Sequence, residues 1–358
     1  MSDALTSLVE RVRGAAAERT PLQIRAGGTK DFYGNTPRGN LLDPRVLHGI
    51  VAYEPEELVI TARAGTLLAD VEATLHAQGQ MLAFEPPHFG SSATIGGCVA
   101  AGLAGPRRAS AGYTYGGVRD FLLGATLLDG RGQLLTFGGT VIKNVAGYDV
   151  ARVLAGSLGI LGLIVEVSLK VLPRPVCETT LRFQMDEPTA LARLNAWCGE
   201  PLPISASAWS DGLLALRLSG ARAAVRSAAT RLGGETLDPV DAETFWRDIR
   251  EHTAQFFSGS APLWRLSLPA TAEPLGPDAR QLIEWGGALR WLRAVESTRE
   301  ILGLAQRMGG HATLFRGGDR SHGVFTPLAP PLAAIHQRLK LQFDPHGIFN
   351  PGRLFEAF

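Results

Sequence analysis

Cysteine is scarce in this chain of 358 residues: it has Cys98, Cys177 and Cys198, and no two of them form a CxxC pair. An iron–sulfur cluster or a closed zinc site needs about four soft ligands. No metal is therefore expected on this chain, and a disulfide framework is excluded by the same count. Three thiols without disulfide-framework spacing fit a reducing, cytoplasmic compartment. A charge of one sign is also missing. Lys and Arg total 35 and Asp and Glu 34, for a net charge of +1, so no basic field exists for nucleic acid. Long apolar runs are absent. A membrane span needs about 20 mostly apolar residues. The most apolar stretch, 153–172, is interrupted by Gly156, Gly159 and Gly162 and carries Glu166 and Lys170. At the start of the chain, Leu5, Leu8, Val9 and Val12 recur at helical spacing beside Asp3 and Glu10, which reads as a surface helix and not as a signal peptide. Two phosphate-binding signatures are missing as well, the G-x-x-x-x-G-K-[ST] loop and a G-x-G-x-x-G turn opening a helix.

Glycine is plentiful, with 42 residues where average usage is about 7%. The glycines crowd between Gly27 and Gly162. The stretch RAGGTKDFYG, 25–34, follows a short apolar segment. Gly27 and Gly28 tolerate φ > 0 and close neighbours, and successive N–H groups in such a turn form a nest for an anion. Thr29 adds a donor and Lys30 a cation. A second stretch, 91–132, is dominated by small residues between Ala93 and Gly105. A third, 138–175, places Gly156-Ser157-Leu158-Gly159 and Gly162 ahead of an apolar strand. Small side chains in three separate places suit a flat, extended ligand.

The periodicity predicts strands over 22–25, 58–62 and 163–171, a helix over 67–78, and a hairpin of 122–128 with 133–137 across Asp129-Gly130. A short helix is expected over 149–155, and little regular structure over 89–117. Pro173 and Pro175 mark a boundary. Beyond it, a strand 179–184, helix 188–197, strands 204–209 and 213–218 and helix 221–232 spell most of a β-α-β-β-α-β unit. A looser copy follows in 263–268, 289–293, 298–308 and 311–315. The fold class is α+β, with an antiparallel second part. The expected division is 1–175, 176–340 and a tail, 341–358, that returns to the first part.

These three stretches, in this order, resemble the FAD-binding half of the vanillyl-alcohol-oxidase, or PCMH-type, flavoproteins. The matching residues are Arg25-Ala26-Gly27-Gly28-Thr29, Ala93-Thr94-Ile95-Gly96-Gly97, Tyr115-Gly116, Asp129-Gly130, Lys143-Asn144-Val145-Ala146-Gly147-Tyr148-Asp149, Gly156-Ser157-Leu158-Gly159 and Ile164-Val165-Glu166-Val167. Near the end, Phe343-Asp344-Pro345 with Asn350-Pro351-Gly352 completes the pattern. The resemblance implies a PCMH-type FAD-binding domain with a short α+β cap. It implies that Ala26, Gly27, Gly28, Thr29 and Lys30 meet the FAD diphosphate. Thr94, Gly96, Gly97 and Ala100 would line the cofactor near the diphosphate and flavin, and Gly159 and Ile164 its adenosine half. No histidine stands between Gly27 and His48, and His88 is not at a family attachment position, so the FAD is expected to be non-covalent.

AGLAGPRR, 101–108, and HATLFRG, 311–317, extend the likeness to the FAD-binding subunits of bacterial glycolate oxidases. That resemblance implies oxidation of a small 2-hydroxy acid within a complex. The partners would be a paralogous flavin subunit and an iron–sulfur subunit, in the cytoplasm or peripheral at the inner face of the membrane. Two alternatives stand beside it: a stand-alone D-2-hydroxy acid dehydrogenase and a flavin-less scaffold subunit. The chain departs from the wider family in two ways. Gly102-Leu103-Ala104-Gly105 replaces Asn-Ala-Gly-Gly. The short second half has no i, i+4 histidine pair among His252, His311, His322, His336 and His346. Catalytic residues are left unassigned. Arg316 or Arg320 is either a carboxylate fork or part of a polar turn. Trp246, Phe256, Phe257, Trp264, Trp285 and Trp291, if exposed together, would mark a docking face.

Overall fold

The computed structural model describes residues 2–107, 116–139 and 149–357; Tyr115 and residues 143–148, singled out above, lie outside them. The chain opens with a helix, Asp3–Glu18, whose first turn is capped by the Ser2 hydroxyl accepting from the Leu5 N–H. Its stripe of Leu8, Val9 and Val12 packs on the strand Leu22–Ile24 together with Ile348 and Phe349 from the far end of the chain. That strand pairs in parallel with Asn40–Leu42.

A five-stranded antiparallel sheet follows, in the order Ile50–Glu54, Val59–Arg63, Leu163–Lys170, Leu122–Leu128, Leu134–Gly138. Its centre, Leu163–Lys170, is nearly all buried, as befits a strand covered on both faces. The helix Leu68–Ala77 covers the sheet with Leu68, Val71 and Leu75, all buried. The small-residue stretch, in which little regular structure was expected, contains a helix, Ile95–Ala101, started by Thr94, whose hydroxyl accepts from the Gly97 N–H. Gly96 and Gly97 mask it in the sequence, because glycine opposes helix by about 1 kcal/mol. Packing reverses that preference here: a Cβ on Gly96 would lie 2.5 Å from the Ala64 Cβ, so only glycine lets the helix seat on the sheet.

The second half is one eight-stranded antiparallel sheet. Its order is Glu235–Thr236, Cys177–Gln184, Leu213–Gly220, Ile204–Ser210, Gln281–Glu284, Leu289–Arg293, Leu263–Ser267, His311–Arg316. The two expected β-α-β-β-α-β-like units are thus the two halves of a single sheet, joined by Ala208 and Trp209 against Glu284 and Ile283. Period-two alternation gives each face its own partner. One face carries Leu214, Leu216, Leu218 and Ile283 to the helices Glu187–Cys198 and Arg222–Leu232, and Trp264, Leu266 and Leu314 to Thr298–Arg307. The other face meets the helix Pro239–Glu251 and the glycine-rich loops of the first half, where Tyr33, Ala101 and Leu103 pack with Ile249, Trp291 and Phe315. The aromatic residues considered as a docking face are all buried, with Trp246 at 5% and Trp264 at 2% exposure. Most sit on alternating, inward positions of this sheet or under its covering helix, so they form core.

Two buried ionic knots hold the halves together. Glu85, from the first half, accepts from Arg107 Nε at 3.1 Å and from Arg217 Nη2 at 2.9 Å, while Arg107 also reaches Glu178 at 2.5 Å. Burial would raise the Glu85 pKa, but Arg217 and Arg107 outweigh it and hold the carboxyl at about 2. The tail is fixed by Lys340, whose Nζ donates to Asp344 Oδ2 at 2.6 Å and to the carbonyls of Ile160 and Phe349. The helix Pro330–Phe343 that carries Lys340 was not anticipated; two prolines at its N-terminus read as a breaker, yet they are compatible with the first turn.

Candidate cofactor site

Strand Leu22–Ile24 delivers the chain into the loop 25–34. Gly28 has φ +70°, open to glycine at little cost. Gly27 serves proximity: a Cβ there would fall 1.6 Å from the Ser92 carbonyl oxygen, and the Ser92 hydroxyl donates to the Gly27 carbonyl at 2.8 Å. The two glycine-rich stretches are thereby zipped together. Between them lies a cavity of about 110 Å³ lined by Ala26, Gly27, Gly28, Thr29, Lys30, Thr94, Gly97 and Ala100. Eight of the eleven residues singled out in the sequence therefore share one cavity. Gly96 faces Ala64, as described above. Gly159 has φ +73° and abuts the Asn350 amide, and the Ile164 side chain is buried in the core of the five-stranded sheet.

Among the described residues, none of the five consecutive N–H groups from Ala26 to Lys30 has an intramolecular acceptor, whereas the flanking Arg25 and Asp31 N–H groups bind Leu42 and Gly28 carbonyls. Unpaired main-chain donors beside a cavity call for an anion or water. Two cations join them. Lys30 Nζ donates to the His88 carbonyl at 3.2 Å, and burial draws its pKa below the ordinary lysine range. Arg353 lines the same cavity, donates to the Asp31 carbonyl at 3.0 Å, and is drawn by burial to about 10. Five donors, two partly desolvated cations and a floor of Gly97, Ala100 and Ala101 fit a diphosphate linkage. Arg25 and Asp31 line the mouth of the same cavity, paired with each other at 2.6 Å and half-exposed.

Arg353 and Asn350 escaped the sequence reading as site residues, although their motif was noted. The Asn350 amide donates to the Leu158 carbonyl at 2.7 Å and its Oδ1 accepts from the Ile24 N–H at 2.8 Å. It joins the first strand, 326 residues away, to the turn of Gly156–Gly162, 192 residues away. The signal was the unusually polar Asn-Pro-Gly-Arg after an apolar pair.

Behind the cavity the loops meet the second sheet. Phe89 lies beside Lys30, with Nζ 5.6 Å from the ring centroid. The Arg316 guanidinium stacks over the same Phe89 ring at 4.8 Å and over Phe32 at 4.2 Å. Next come Phe315, Trp291 and His252, whose ring is stacked on Phe257 at 3.9 Å. Arg265 and Glu284 border the same spot, where about 10 Å³ is open. Burial pushes Glu284 up to about 7 although Trp291 Nε1 donates to it at 2.7 Å. Burial, then Arg316, Arg265 and Arg293, keep His252 neutral, and its Nδ1 has no partner. Arg320 is spent on the carbonyls of Gly34 and Phe32. A larger groove of about 530 Å³ lies beside the Glu85 knot; it mixes arginines with Glu85, Glu178 and Glu243, and its buried guanidiniums are already bound.

Fold and cavity define a class. A family model described as an FAD binding domain matches residues 5–151. The solved structure of p-cresol methylhydroxylase, 14% identical, covers 99% of this chain and 88% of its own with a TM-score of 0.71. Alkyldihydroxyacetonephosphate synthase, 16% identical, covers 98% and 76% with a TM-score of 0.66. The protein has the fold of p-cresol methylhydroxylase, and FAD is its cofactor. Among curated relatives, glycolate oxidase subunit GlcE of Escherichia coli K12 is 47% identical over 98% of this chain and 97% of its own. Glycolate oxidase subunit GlcD of Bacillus subtilis is 31% identical over 49% of this chain and 37% of its own. The chain belongs to the GlcE family of glycolate oxidase subunits.

Proposed function

We propose that this chain is the FAD-binding subunit of a heteromeric glycolate oxidase, working with a paralogous flavin subunit and an iron–sulfur subunit. The row of five N–H groups that lack an acceptor among the described residues, in a loop lining the same cavity as the Lys30 and Arg353 cations, is the observation that carries the cofactor assignment to these residues. Bound FAD supplies the two-electron redox chemistry; the protein supplies position and electrostatics. Ala26, Gly27, Gly28, Thr29 and Lys30 hold the diphosphate through main-chain donors, and Lys30 with Arg353 neutralises its charge. Thr94, Gly97 and Ala100 form the wall against which it lies, Gly96 seats their helix on the sheet, and Gly159 and Ile164 shape the adenosine end. Residues 1–175 act as the FAD-binding domain, 176–340 as the cap, and 341–358 as the tail that closes the cradle through Asn350 and Arg353.

The cofactor is held without a covalent bond. This reading is supported by His88, the histidine nearest the loop, whose Nε2 lies 2.9 Å from Glu72 and is engaged there. Electrons leave through a partner, since the three cysteines of this chain are dispersed and, among the described residues, no cluster of metal-ligating side chains occurs. Among the described residues no helix is long and apolar enough to cross a membrane. The assigned place is the cytoplasm, with any membrane contact made through the complex.

The test is direct. The purified chain should be yellow and should release its flavin on acid precipitation. Lys30→Met should weaken FAD binding by about ten- to a hundredfold, since a charge-assisted contact to an anion is worth about 1.5–3 kcal/mol. A preparation that stays colourless when titrated with FAD overturns the reading in favour of a scaffold.

A further inference from the structure

The junction between the cradle and the second sheet holds the groups that oxidation of a hydroxy acid calls for. His252 is a neutral imidazole with a free Nδ1, suited to accept a hydroxyl proton. Arg316 and Arg265 make no ion pair with a carboxylate among the described residues and are suited to bind a carboxylate. The space for a substrate is what the junction lacks. Phe32, Phe89, Phe257, Trp291 and Phe315 pack around the imidazole with ring centroids 3.9 to 6.3 Å apart. The remaining volume of about 10 Å³ suffices for at most one water. A two-carbon hydroxy acid cannot enter without displacing rings that are packed on one another.

The charge balance favours the cations. Arg265, Arg293 and Arg316 act on the imidazole; of the nearby acids, Glu284 borders the opening with its pKa raised by burial to about 7, and the Glu251 carboxylate is taken up by the Phe89 and His88 N–H groups and by Arg250. Arg316 is separated from Lys30 of the cradle by a single ring, Phe89. Unneutralised positive charge in a dry place favours whatever nearby group gains negative charge, and a flavin gains negative charge on reduction.

We infer that the FAD of this chain is an electron relay: it is reduced by the reduced flavin of a partner subunit, across a junction that this chain closes to the hydroxy acid and makes electropositive. The inference rests on the FAD reading above. The partner flavin, having oxidised the acid, gives up two electrons, releases its proton to solvent and returns to its oxidised form. This chain's FAD takes up the two electrons with a proton from solvent, then passes them one at a time to an iron–sulfur acceptor and releases the proton.

The experiment uses the full-length chain loaded with FAD, mixed anaerobically with excess glycolate, and then titrated with dithionite. Glycolate should leave the flavin absorbance unchanged while dithionite bleaches it. In the intact complex glycolate should bleach the flavins of both subunits. Arg316→Gln should lower the reduced-to-oxidised ratio at a fixed potential by about tenfold, close to 30 mV for a two-electron couple. Arg316→Lys should restore it, and Arg226→Gln, on an exposed helix, should not move it. Bleaching of the isolated chain by glycolate, or a potential unmoved in Arg316→Gln, overturns the inference and leaves the FAD reading intact. A chain that takes up no FAD overturns both.

Discussion

Around Gly27 and Gly28 side chains are absent or small, and five N–H groups lack partners among the described residues; one ring away, around His252, aromatic carbon leaves only about 10 Å³ open and the charged groups are crowded. The first region gives up packing and hydrogen bonds to leave room for a charged ligand. The second gives up room to gain packing, and keeps a carboxyl near neutrality and an imidazole without a partner. Open polar main chain binds; closed, dry side chains set the electrostatics of what is bound.

Breaking the Glu85 knot that locks these regions together should have the largest effect. Glu85→Ala leaves Arg107 and Arg217 buried without their shared carboxylate, which costs about 3–5 kcal/mol, read as a fall in the urea midpoint. The same knot predicts acid sensitivity. Glu85 has a depressed folded-state pKa of about 2 against an ordinary 4.5. Its contribution is complete above about pH 4.5 and is lost as the pH falls toward 2. Unfolding curves that show no loss in that window would argue against the knot.

Glu284→Gln sharpens the comparison from the other side. The folded-state pKa of Glu284 is raised to about 7 from 4.5, so the native protein holds a proton that the unfolded chain releases. Stability therefore declines as the pH rises from about 4.5 to 7 and is level above that. Gln keeps an acceptor for Trp291 and has no charge to bury. The variant should be more stable than the parent at pH 8, by up to about 3 kcal/mol, and nearly equal to it at pH 4. Equal stability at both pH values would show that the junction is wetter than its packing indicates.

The smallest effect belongs to the cradle. Thr94→Ala removes the hydroxyl that starts the helix Ile95–Ala101, at about 1 kcal/mol. It also alters the wall of the cavity, so FAD affinity should fall along with the melting temperature. A loss of stability with unchanged FAD affinity would remove Thr94 from the site.

Much of this was readable along the chain. The hairpin Leu122–Leu128 with Leu134–Gly138 follows from alternation around Asp129-Gly130, and the units of the second half follow from their periodicity. The cradle glycines were readable because glycine has few other reasons to cluster. The helix Ile95–Ala101 was not, since its glycines oppose helix until Ala64 demands them. Asn350 and Arg353 were not readable as site residues, because their partners lie more than three hundred positions away. Each aromatic residue of 246–291 reads singly as core, and only a shared exposed patch would have marked docking; the tertiary packing buries all six.

The sequence by itself determined where the chain turns without side chains, and therefore where an anion is met by main-chain donors, because φ > 0 and close approach are properties of single residues and their neighbours. The tertiary structure alone decided what stands behind that cradle. Which face of a strand is buried, which ring fills which gap and which arginine goes unneutralised depend on contacts between distant segments, and those contacts separate a place that binds a cofactor from a place that admits a substrate.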